Sequence, residues 1–569
     1  MPPRGPELIE ESIADFERLR SRRSTFDAHF RETAEVVHPH ADDFLGSPRN
    51  TFGGGEKRTH RMYDSTACLA LKKFGAIMLS LFAPPSERWH ALRTTDEELN
   101  KVPAVKEWFE QVVKLLFAMR SSPRAHYYEQ AQELFESEGA FGNGCLFVDG
   151  DDDPRDAPRD ADRQRRREGI RYKHLHIGQT YIATGHSGQV DAMYRVMRMT
   201  ARAAKQRWQA RAGLRVNNAR DPFQEFEFLH VVAPRPDVDP ERFDSQGMPW
   251  RSLYISLSDR ELVEDESGYH EFPYMFPRWS VTPGEDYGRG PAMLVLPNVK
   301  VLQVQKRTLL RSWHNAVEPM ILLPEDGIYG AGGKNPRFMP GAPIFGGVTD
   351  QGTPRVHAYQ NGTEPQLLEE SMNQEREVIN DAFFVTLFKI LVDEPKATAT
   401  EVLERAQEKG QLIGPAGGRM QSELFGPQIE RELGLLQRQG LLPPYPPEML
   451  EAGGEYKIEY LSPASRLQRS QEISGIPRMI EILLPLSAAD PLALSILDPE
   501  ETGRHVAEVL GVPTKLLRSP KAMYALRQQS AQQQQAAQQL AAIEQGAGAA
   551  KDGASALAAV GGLQQNAAA

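Results

Sequence analysis

Two stretches of helical hydrophobic periodicity, separated by a region crowded with glycine and proline, constrain the fold of this chain most strongly. Apolar side chains recur at helical spacing over residues 291–317 and again over residues 363–388, which predicts two long amphipathic helices. Residues 318–362 between them are rich in Gly and Pro, which interrupt regular structure. The pattern therefore predicts an antiparallel helical hairpin whose connecting segment projects from the body. An ordinary helical hairpin inside a monomeric globule is the alternative.

The chain before this hairpin predicts a mixture of helices and short strands. Apolar side chains recur at helical spacing over about 7–37, 59–82, 105–120 and 125–139, whereas short alternating segments dominate residues 170–279. Such alternation is typical of antiparallel strands with one buried face. A chain of 569 residues also exceeds a single hydrophobic core. We therefore predict an α+β, mainly helical fold with several domains or a segmented body.

The rest of the chain contains one more helical pattern and two regions of biased composition. Residues 398–438 have helical periodicity but contain Leu-Ile-Gly-Pro-Ala-Gly-Gly at 412–418, which predicts a kinked helix because Gly and Pro are common causes of kinks. Residues 149–169 are densely charged and have no apolar anchor, so we expect a solvated loop. Residues 527–569 are rich in Gln and Ala, which predicts a helix followed by a disordered end.

No motif predicts catalysis or a bound cofactor. The segment 327–335, Gly-Ile-Tyr-Gly-Ala-Gly-Gly-Lys-Asn, most resembles a phosphate-binding P-loop. A P-loop requires a glycine where Ile328 stands and a Ser or Thr where Asn335 stands, so the pattern fails at both positions. Residues 185–189 lack the final glycine of a nucleophile elbow. We predict a protein that is not an enzyme and has no catalytic residues.

The candidates for metal binding are equally weak. His174 and His176 share one face of a predicted strand and could begin a metal site, but satisfied or exposed histidines are far commoner. Cys68 and Cys145 lie in apolar surroundings that are typical of packing residues. The acidic part of 149–169 lacks the ligand spacing of a calcium loop. We therefore predict no metal ion.

Charge and hydropathy argue against further classes of protein. The formal net charge is −11, from 66 Lys and Arg against 77 Asp and Glu. Proteins that bind nucleic acid tightly usually present a basic face to phosphates, so this balance argues against a repressor or an architectural DNA-binding protein. We find no apolar run long enough to span a membrane and no apolar core of a signal peptide at the start. The two cysteines suit a reduced, cytoplasmic assembly environment.

Four segments carry the most specific signal, and their order along the chain is part of it. They are LFAPPSERWHAL at 81–92, PRWSVTPGEDYGRGPAMLVLP at 277–297, ATATEVLERAQEKGQLIGPAGGRMQSELFGPQIERELGLLQRQG at 397–440 and IEYLSPASRLQRSQ at 458–471. Each alone has an ordinary explanation, such as a proline helix stop or a capping box formed by Thr398 and Glu401. Together they resemble the portal proteins, or head-to-tail connectors, of short-tailed, podovirus-type double-stranded DNA phages.

The resemblance implies a portal fold assembled as a ring of about twelve identical copies at one capsid vertex. Double-stranded DNA would be packaged, retained and ejected through this ring, and a weakly attractive channel would let the duplex slide. The implied regions are a wing at 1–290, stem helices at 291–317 and 363–388, a clip at 318–362 and a tunnel loop at 389–397. They continue with a kinked helix and wing return at 398–485, a crown at 486–526, and a Gln/Ala-rich helix that could form a barrel, with a disordered tail, at 527–569.

The resemblance also implies partners and candidate site residues. Lys389 and Lys396 in the tunnel loop are candidates for facing DNA, although ordinary surface lysines are about as common. Lys334 and Arg337 in the clip are candidates for contact with a partner. The expected partners are the terminase large subunit, tail adaptor proteins, and the major capsid and scaffolding proteins, with no membrane. The protein would reside in the virion after assembly in the host cytoplasm. The alternatives are a packaging enzyme, such as a terminase or nuclease, and a generic DNA-binding scaffold.

Overall fold

The computed structural model forms two compact units, Met1–Gln468 and Arg469–Ala569. It describes residues 5–41, 59, 62–150, 169–239, 241–242, 244–317, 321–323, 343–345, 348–349, 351–353, 365–386, 417–451, 455–463 and 465 in the first unit, and 479, 483, 498, 502–503, 518 and 522–529 in the second. In the second unit, residues 522–529 are helical. The predicted tunnel loop, nearly all of the predicted clip and most of the predicted crown and tail lie outside the described residues.

The helices of the first unit agree broadly with the periodicity of the sequence. They are α1 Gly5–Val36, α2 Thr66–Phe82, α3 Pro103–Arg120, α4 Tyr127–Phe141, α5 Ala201–Trp208, α6 Leu214–Asn217, α7 Pro291–Leu294, α8 Leu296–Val317, α9 Pro365–Ala382, α10 Gly426–Arg438 and α11 Pro447–Glu451. The predicted helix at 291–317 is thus divided at Val295. Pro297 has no N–H with which to continue the helical hydrogen bonds of the preceding turn, which accounts for this break.

The strands form small sheets and one larger sheet. They are β1 His90–Arg93, β2 Leu146–Gly150, β3 Ile170–His174, β4 Thr180–Thr184, β5 Val190–Thr200, β6 Glu225–Pro234, β7 Trp250–Ser256, β8 Glu261–Leu262, β9 Ser267–Tyr269, β10 Tyr274–Met275, β11 Ile321–Leu323, β12 Pro343–Phe345 and β13 Lys457–Tyr460. The larger sheet has the order β4-β5-β6-β7-β8, with β9 also paired to β7. All of its pairs are antiparallel, which confirms the strands predicted between residues 170 and 279.

Both faces of this sheet are covered. Odd-numbered residues of β6, such as Leu229, pack with Phe16 and its apolar neighbours on α1. Even-numbered residues, such as Phe228, pack with Trp208 at the end of α5. Successive side chains of a strand point to opposite faces, so the mixed pattern of β6 serves two cores at once.

The largest core joins α2, α3 and α4 to the short strands, and a fully buried ion pair crosses it. The guanidinium of Arg120 on α3 donates to both carboxylate oxygens of Glu432 on α10. The hydroxyl of Tyr172 donates to the same carboxylate at 2.7 Å, and His90 accepts from Arg120 at 2.7 Å. Because Arg120 and Glu432 are both buried, this pair fixes the segment after residue 417 against the N-terminal half.

The helix that enters α10 is irregular at a place different from the one predicted. Residues Met420–Phe425 form a π-helical turn that runs directly into α10. Pro427 cannot donate to the carbonyl four residues before it, so a regular α-helical bond is missing at this junction. Of the predicted kink at 412–418, only residues 417 and 418 are described, and both are helical.

Candidate subunit interface

Helices α8 and α9 form the antiparallel pair that the sequence predicts. Asn298 donates to Glu375 at 2.8 Å, and Gln305 donates to Ser371 at 3.0 Å. The contacts ascend along α8 while they descend along α9, which makes the two helices antiparallel. Helix α9 ends at Ala382, short of the predicted residue 388.

The end of α9 follows from its packing. Phe384 has φ +58, a left-handed conformation that non-glycine residues adopt rarely. Its ring stacks on Phe74 of α2 with centroids 6.3 Å apart, and the ring of the buried Phe383 lies 6.0 Å from the same Phe74. Both aromatic side chains thus enter the core at the point where the helix stops.

A carboxylate that the sequence analysis did not identify joins the hairpin to α2. Asp64 accepts two hydrogen bonds from the guanidinium of Arg376 on α9, at 2.7 and 3.2 Å, and one from the backbone of Thr66 at 2.9 Å. The side-chain amide of Gln303 on α8 bonds the backbone of Tyr63 and Asp64. Although burial opposes it, hydrogen bonds from Thr66 and Arg376 hold the pKa of Asp64 below its usual value.

A close crossing of two glycine-containing segments lies at the start of α7. Gly142 has φ +71, and a Cβ there would lie 2.3 Å from the carbonyl carbon of Arg289. A Cβ on Gly290 would meet the backbone nitrogen of Gly142 at 2.6 Å. Asn143 holds the crossing, because its side-chain amide donates to the carbonyl of Gly288 and accepts from its N–H. The Phe-Gly-Asn-Gly and Tyr-Gly-Arg-Gly-Pro motifs therefore meet at one point.

The outer face of α8 is apolar and basic. Val301 and Val304 are three positions apart and lie on one face, and Val304 is 64% exposed. Lys300, Arg307 and Arg311 follow each other by seven and four positions, so they form a basic row beside the valines. Lys300 pairs with Glu32 of the same chain, whereas Arg311 has no ion-pair partner among the residues that the structure describes. The buried side chains of α8, such as Val299 and Leu302, point away from this face.

The outer face of α9 is apolar and acidic. Glu370, Glu377 and Asp381 follow each other by seven and four positions, and all are exposed. Leu367 and Val378 lie beside them, and Leu367 is 59% exposed. The hairpin thus presents two outer faces with matching apolar character and opposite charge.

The described part of the chain brings together none of the predicted site residues. Lys334, Arg337, Lys389 and Lys396 all lie outside the described residues. Burial lowers the pKa of His174 to about 3, and His176 donates to the carbonyl of Ala41. Among the residues described, there is no group of metal ligands and no helix that is long and apolar enough to cross a membrane.

Comparison with known proteins assigns the chain to a family. The model of the family described as bacteriophage head to tail connecting protein matches residues 10–517. The chain belongs to this family. It is 29% identical over 557 residues to a protein of Bordetella phage BPP-1 described as a probable portal protein, across 96% of this chain and 95% of that one. It is 27% identical over 535 residues to the portal protein of Salmonella phage epsilon15, across 92% and 91% of the two chains.

The head to tail connecting family membership confirms the resemblance to phage portal proteins. It also favours the structural portal interpretation over a packaging enzyme or a generic DNA-binding scaffold. A chain from the virion of a native gene transfer agent particle is 12% identical, with coverage of 79% of this chain and 90% of that one and a TM-score of 0.30. The family assignment therefore rests on the sequence matches.

Proposed function

We propose that copies of this chain close into a ring of about twelve subunits around an axis through which double-stranded DNA passes. The observation that carries this proposal is the antiparallel pair α8 and α9, which presents outer apolar faces to solvent in a chain of the connector family. Apolar side chains arranged along both sides of a helical pair are costly to leave in water. Neighbouring copies would cover them.

The two outer faces suit a head-to-tail contact. The basic and apolar face of α8 in one copy would pack on the acidic and apolar face of α9 in the next. A contact between two different faces generates a closed ring when the rotation between copies completes a circle. Burying side chains such as Val304 and Leu367 would contribute about 1.5–3 kcal/mol each at full burial. Partly exposed ion pairs would add only about 0.2–1 kcal/mol each and would chiefly fix the alignment.

The remaining regions are proposed from the resemblance. Residues 1–290 and the return at 398–485 would form the wing, and 291–317 and 363–388, which contain α8 and α9, the stem. Residues 318–362 would form the clip, 389–397 the tunnel loop and 486–526 the crown, followed by the Gln/Ala-rich helix and tail at 527–569. Lys389 and Lys396 would face DNA in the tunnel. Lys334 and Arg337 would lie in the clip that meets the terminase large subunit and then tail adaptor proteins.

The ring would stand at one vertex of the virion, in contact with the major capsid and scaffolding proteins. The net charge of −11 per copy supports a channel over a DNA-gripping surface, because a strongly basic bore would hold phosphates and slow a moving duplex.

Mass measurement of the purified full-length chain tests the proposal. We expect a single closed assembly of about twelve copies, whose mass does not grow further at higher protein concentration. A stable monomer or dimer at the same concentrations would contradict it. ATP turnover by the pure protein would instead favour the packaging-enzyme alternative.

The DNA-facing role of the tunnel loop has a separate test. Replacing Lys389 and Lys396 together by Glu should alter DNA packaging or retention while rings of unchanged mass still form. Unchanged genome content in the resulting particles would remove these two residues from the proposal without affecting the ring.

A further inference from the structure

A pocket outside the α8–α9 hairpin combines an aromatic and apolar lining with two carboxylates. Its volume is about 320 Å³, and α3, α10 and the segment that contains α11 surround it. Its lining residues are mainly apolar or aromatic: Leu92, Trp108, Phe109, Leu433, Gly434, Leu442, Tyr445, Met449 and Tyr456, with Glu271, Glu430 and Gln437. The only charged groups in this lining are therefore two carboxylates.

One of the two carboxylates is already neutralised. Glu271 accepts hydrogen bonds from Arg438 at 2.7 Å and from Arg431 at 2.9 Å. Although burial opposes it, these bonds hold the pKa of Glu271 below its usual value. Gly434 makes room for this arrangement, since a Cβ there would lie 2.1 Å from a carboxylate oxygen of Glu271.

The other carboxylate lacks a counter-charge. Glu430 has no hydrogen-bond or ion-pair partner in the part of the chain that the structure describes. Glu430 is partly exposed to solvent, but its partial burial still raises its pKa, and the charge of Glu271 raises it further. Burial, and secondly the charge of Glu430, raise the pKa of Tyr456 to about 12. A cation placed in the pocket would relieve both effects.

The aromatic wall is also suited to a cation. The ring centroids of Trp108 and Tyr445 lie 4.8 Å apart with an interplanar angle of 30°. The indole N–H of Trp108 donates to the carbonyl of Pro443 at 3.0 Å. The indole is thus held in place by a hydrogen bond at its edge. Aromatic faces attract guanidinium groups, which are flat and weakly hydrated and stack better than ammonium groups do.

We propose that this pocket receives an arginine side chain of a partner protein. Its aliphatic stem would lie against the apolar wall, and its guanidinium would pair with Glu430 beside the aromatic rings. Tyr456 lines the pocket and is exposed, so it would contact an apolar residue that flanks the arginine. An anionic ligand would meet two carboxylates, which disfavours it. This proposal does not rest on ring formation.

N-acetylargininamide and its neutral isostere N-acetylcitrullinamide test the proposal, because they differ in charge but hardly in shape. Binding to the full-length chain, in whatever oligomeric state it is purified, would be measured by calorimetry or ligand-observed NMR. We expect the arginine compound to bind at least about tenfold more tightly than the citrulline compound, since hydrogen bonds to a charged group are the stronger ones. Equal affinity, or no binding of either compound, would overturn the proposal.

Paired variants locate the binding to this pocket. Glu430→Gln keeps the shape of the side chain and should remove the preference for the arginine compound. Glu448→Gln changes an exposed carboxylate on α11 that does not line the pocket, and it should leave the preference intact. A preference for the arginine compound that survives Glu430→Gln, or that falls equally in both variants, would show that the pocket is not the site.

Discussion

Helices α2 and α8 both carry apolar side chains along their length, but α2 is almost wholly apolar and mostly buried, whereas α8 is amphipathic and leaves apolar side chains exposed. Most large apolar side chains of α2, such as Phe74 and Met78, are buried, and Leu69 is an exposed exception. Helix α8 buries one face and leaves Val301, Val304 and others in solvent. The difference is what the proposed ring requires, because a neighbouring copy would cover the exposed side chains of α8 but none is needed for α2.

The largest expected effect concerns the interior side of this comparison. Arg120→Met leaves Glu432 buried without its ionic partner, which should lower the free energy of unfolding by about 3–5 kcal/mol. Urea unfolding would measure the change. Arg311→Met, at an exposed residue, is the control and should leave the free energy of unfolding nearly unchanged. Similar losses for the two variants would mean that the Arg120–Glu432 pair is not the interior clamp that its burial indicates.

A second interior effect depends on pH. Burial raises the pKa of Glu138 well above its usual value, with a smaller effect from Glu423, and neither carboxyl oxygen has a partner within the described ranges. The folded state therefore keeps a proton that the unfolded chain loses. Stability is greatest below the unfolded pKa and should fall by up to about 1.4 kcal/mol per pH unit as pH rises toward the folded pKa.

Glu138→Gln should remove this slope. Urea midpoints at pH 5, 6 and 7 would separate the two proteins, with the wild type losing stability more steeply. Parallel pH profiles would show that Glu138 is ionised in the folded state.

The glycine crossing beneath the hairpin should be sensitive to a single methyl group. Gly142→Ala would place a Cβ 2.3 Å from the backbone of Arg289 at a positive φ. It should lower the free energy of unfolding by about 2 kcal/mol. Gly188→Ala is the matched control, because Gly188 has φ +77 but nothing within 4 Å of its Cβ. If thermal unfolding shows the same loss of stability for both variants, the close backbone approach at Gly142 contributes nothing.

The charge reversal of the α8 basic row should change the stability of a single subunit least and the assembly of subunits most. Replacing Arg307 and Arg311 by Glu should leave unfolding nearly unchanged. It should weaken each contact between copies by about 1 kcal/mol, because attraction to the acidic row of α9 becomes repulsion. The mass distribution of assemblies at rising salt would measure this.

The reciprocal change identifies the partner face. By itself, the double variant Glu370→Arg with Glu377→Arg should weaken ring assembly. Combined with the replacement of Arg307 and Arg311 by Glu, it should restore ring assembly. Arg202→Glu with Arg220→Glu, on exposed residues of another surface, should have no effect on assembly. Failure of the combined variant to recover would exclude this pairing of faces.

The sequence predicted the elements that depend on local periodicity. The helical hairpin and the antiparallel strands follow from the spacing of apolar side chains along one segment. The contacts of Asp64 with Gln303 and Arg376 could not be predicted in this way, because Asp64 lies 239 and 312 positions before them and none of the three belongs to a recognisable motif. The π-helical turn at Met420–Phe425 had a signal in Gly426-Pro427 that the sequence analysis did not use, and the predicted kink at 412–418 lies almost wholly outside the described residues.

The unlike outer faces of α8 and α9 have a consequence for the order of assembly. An arc of any number of copies joined in this way ends in one basic surface and one acidic surface, so both ends remain open to further addition. Only joining the last copy to the first removes the two ends together. Growth would therefore stop by geometry, with no separate capping protein to terminate it.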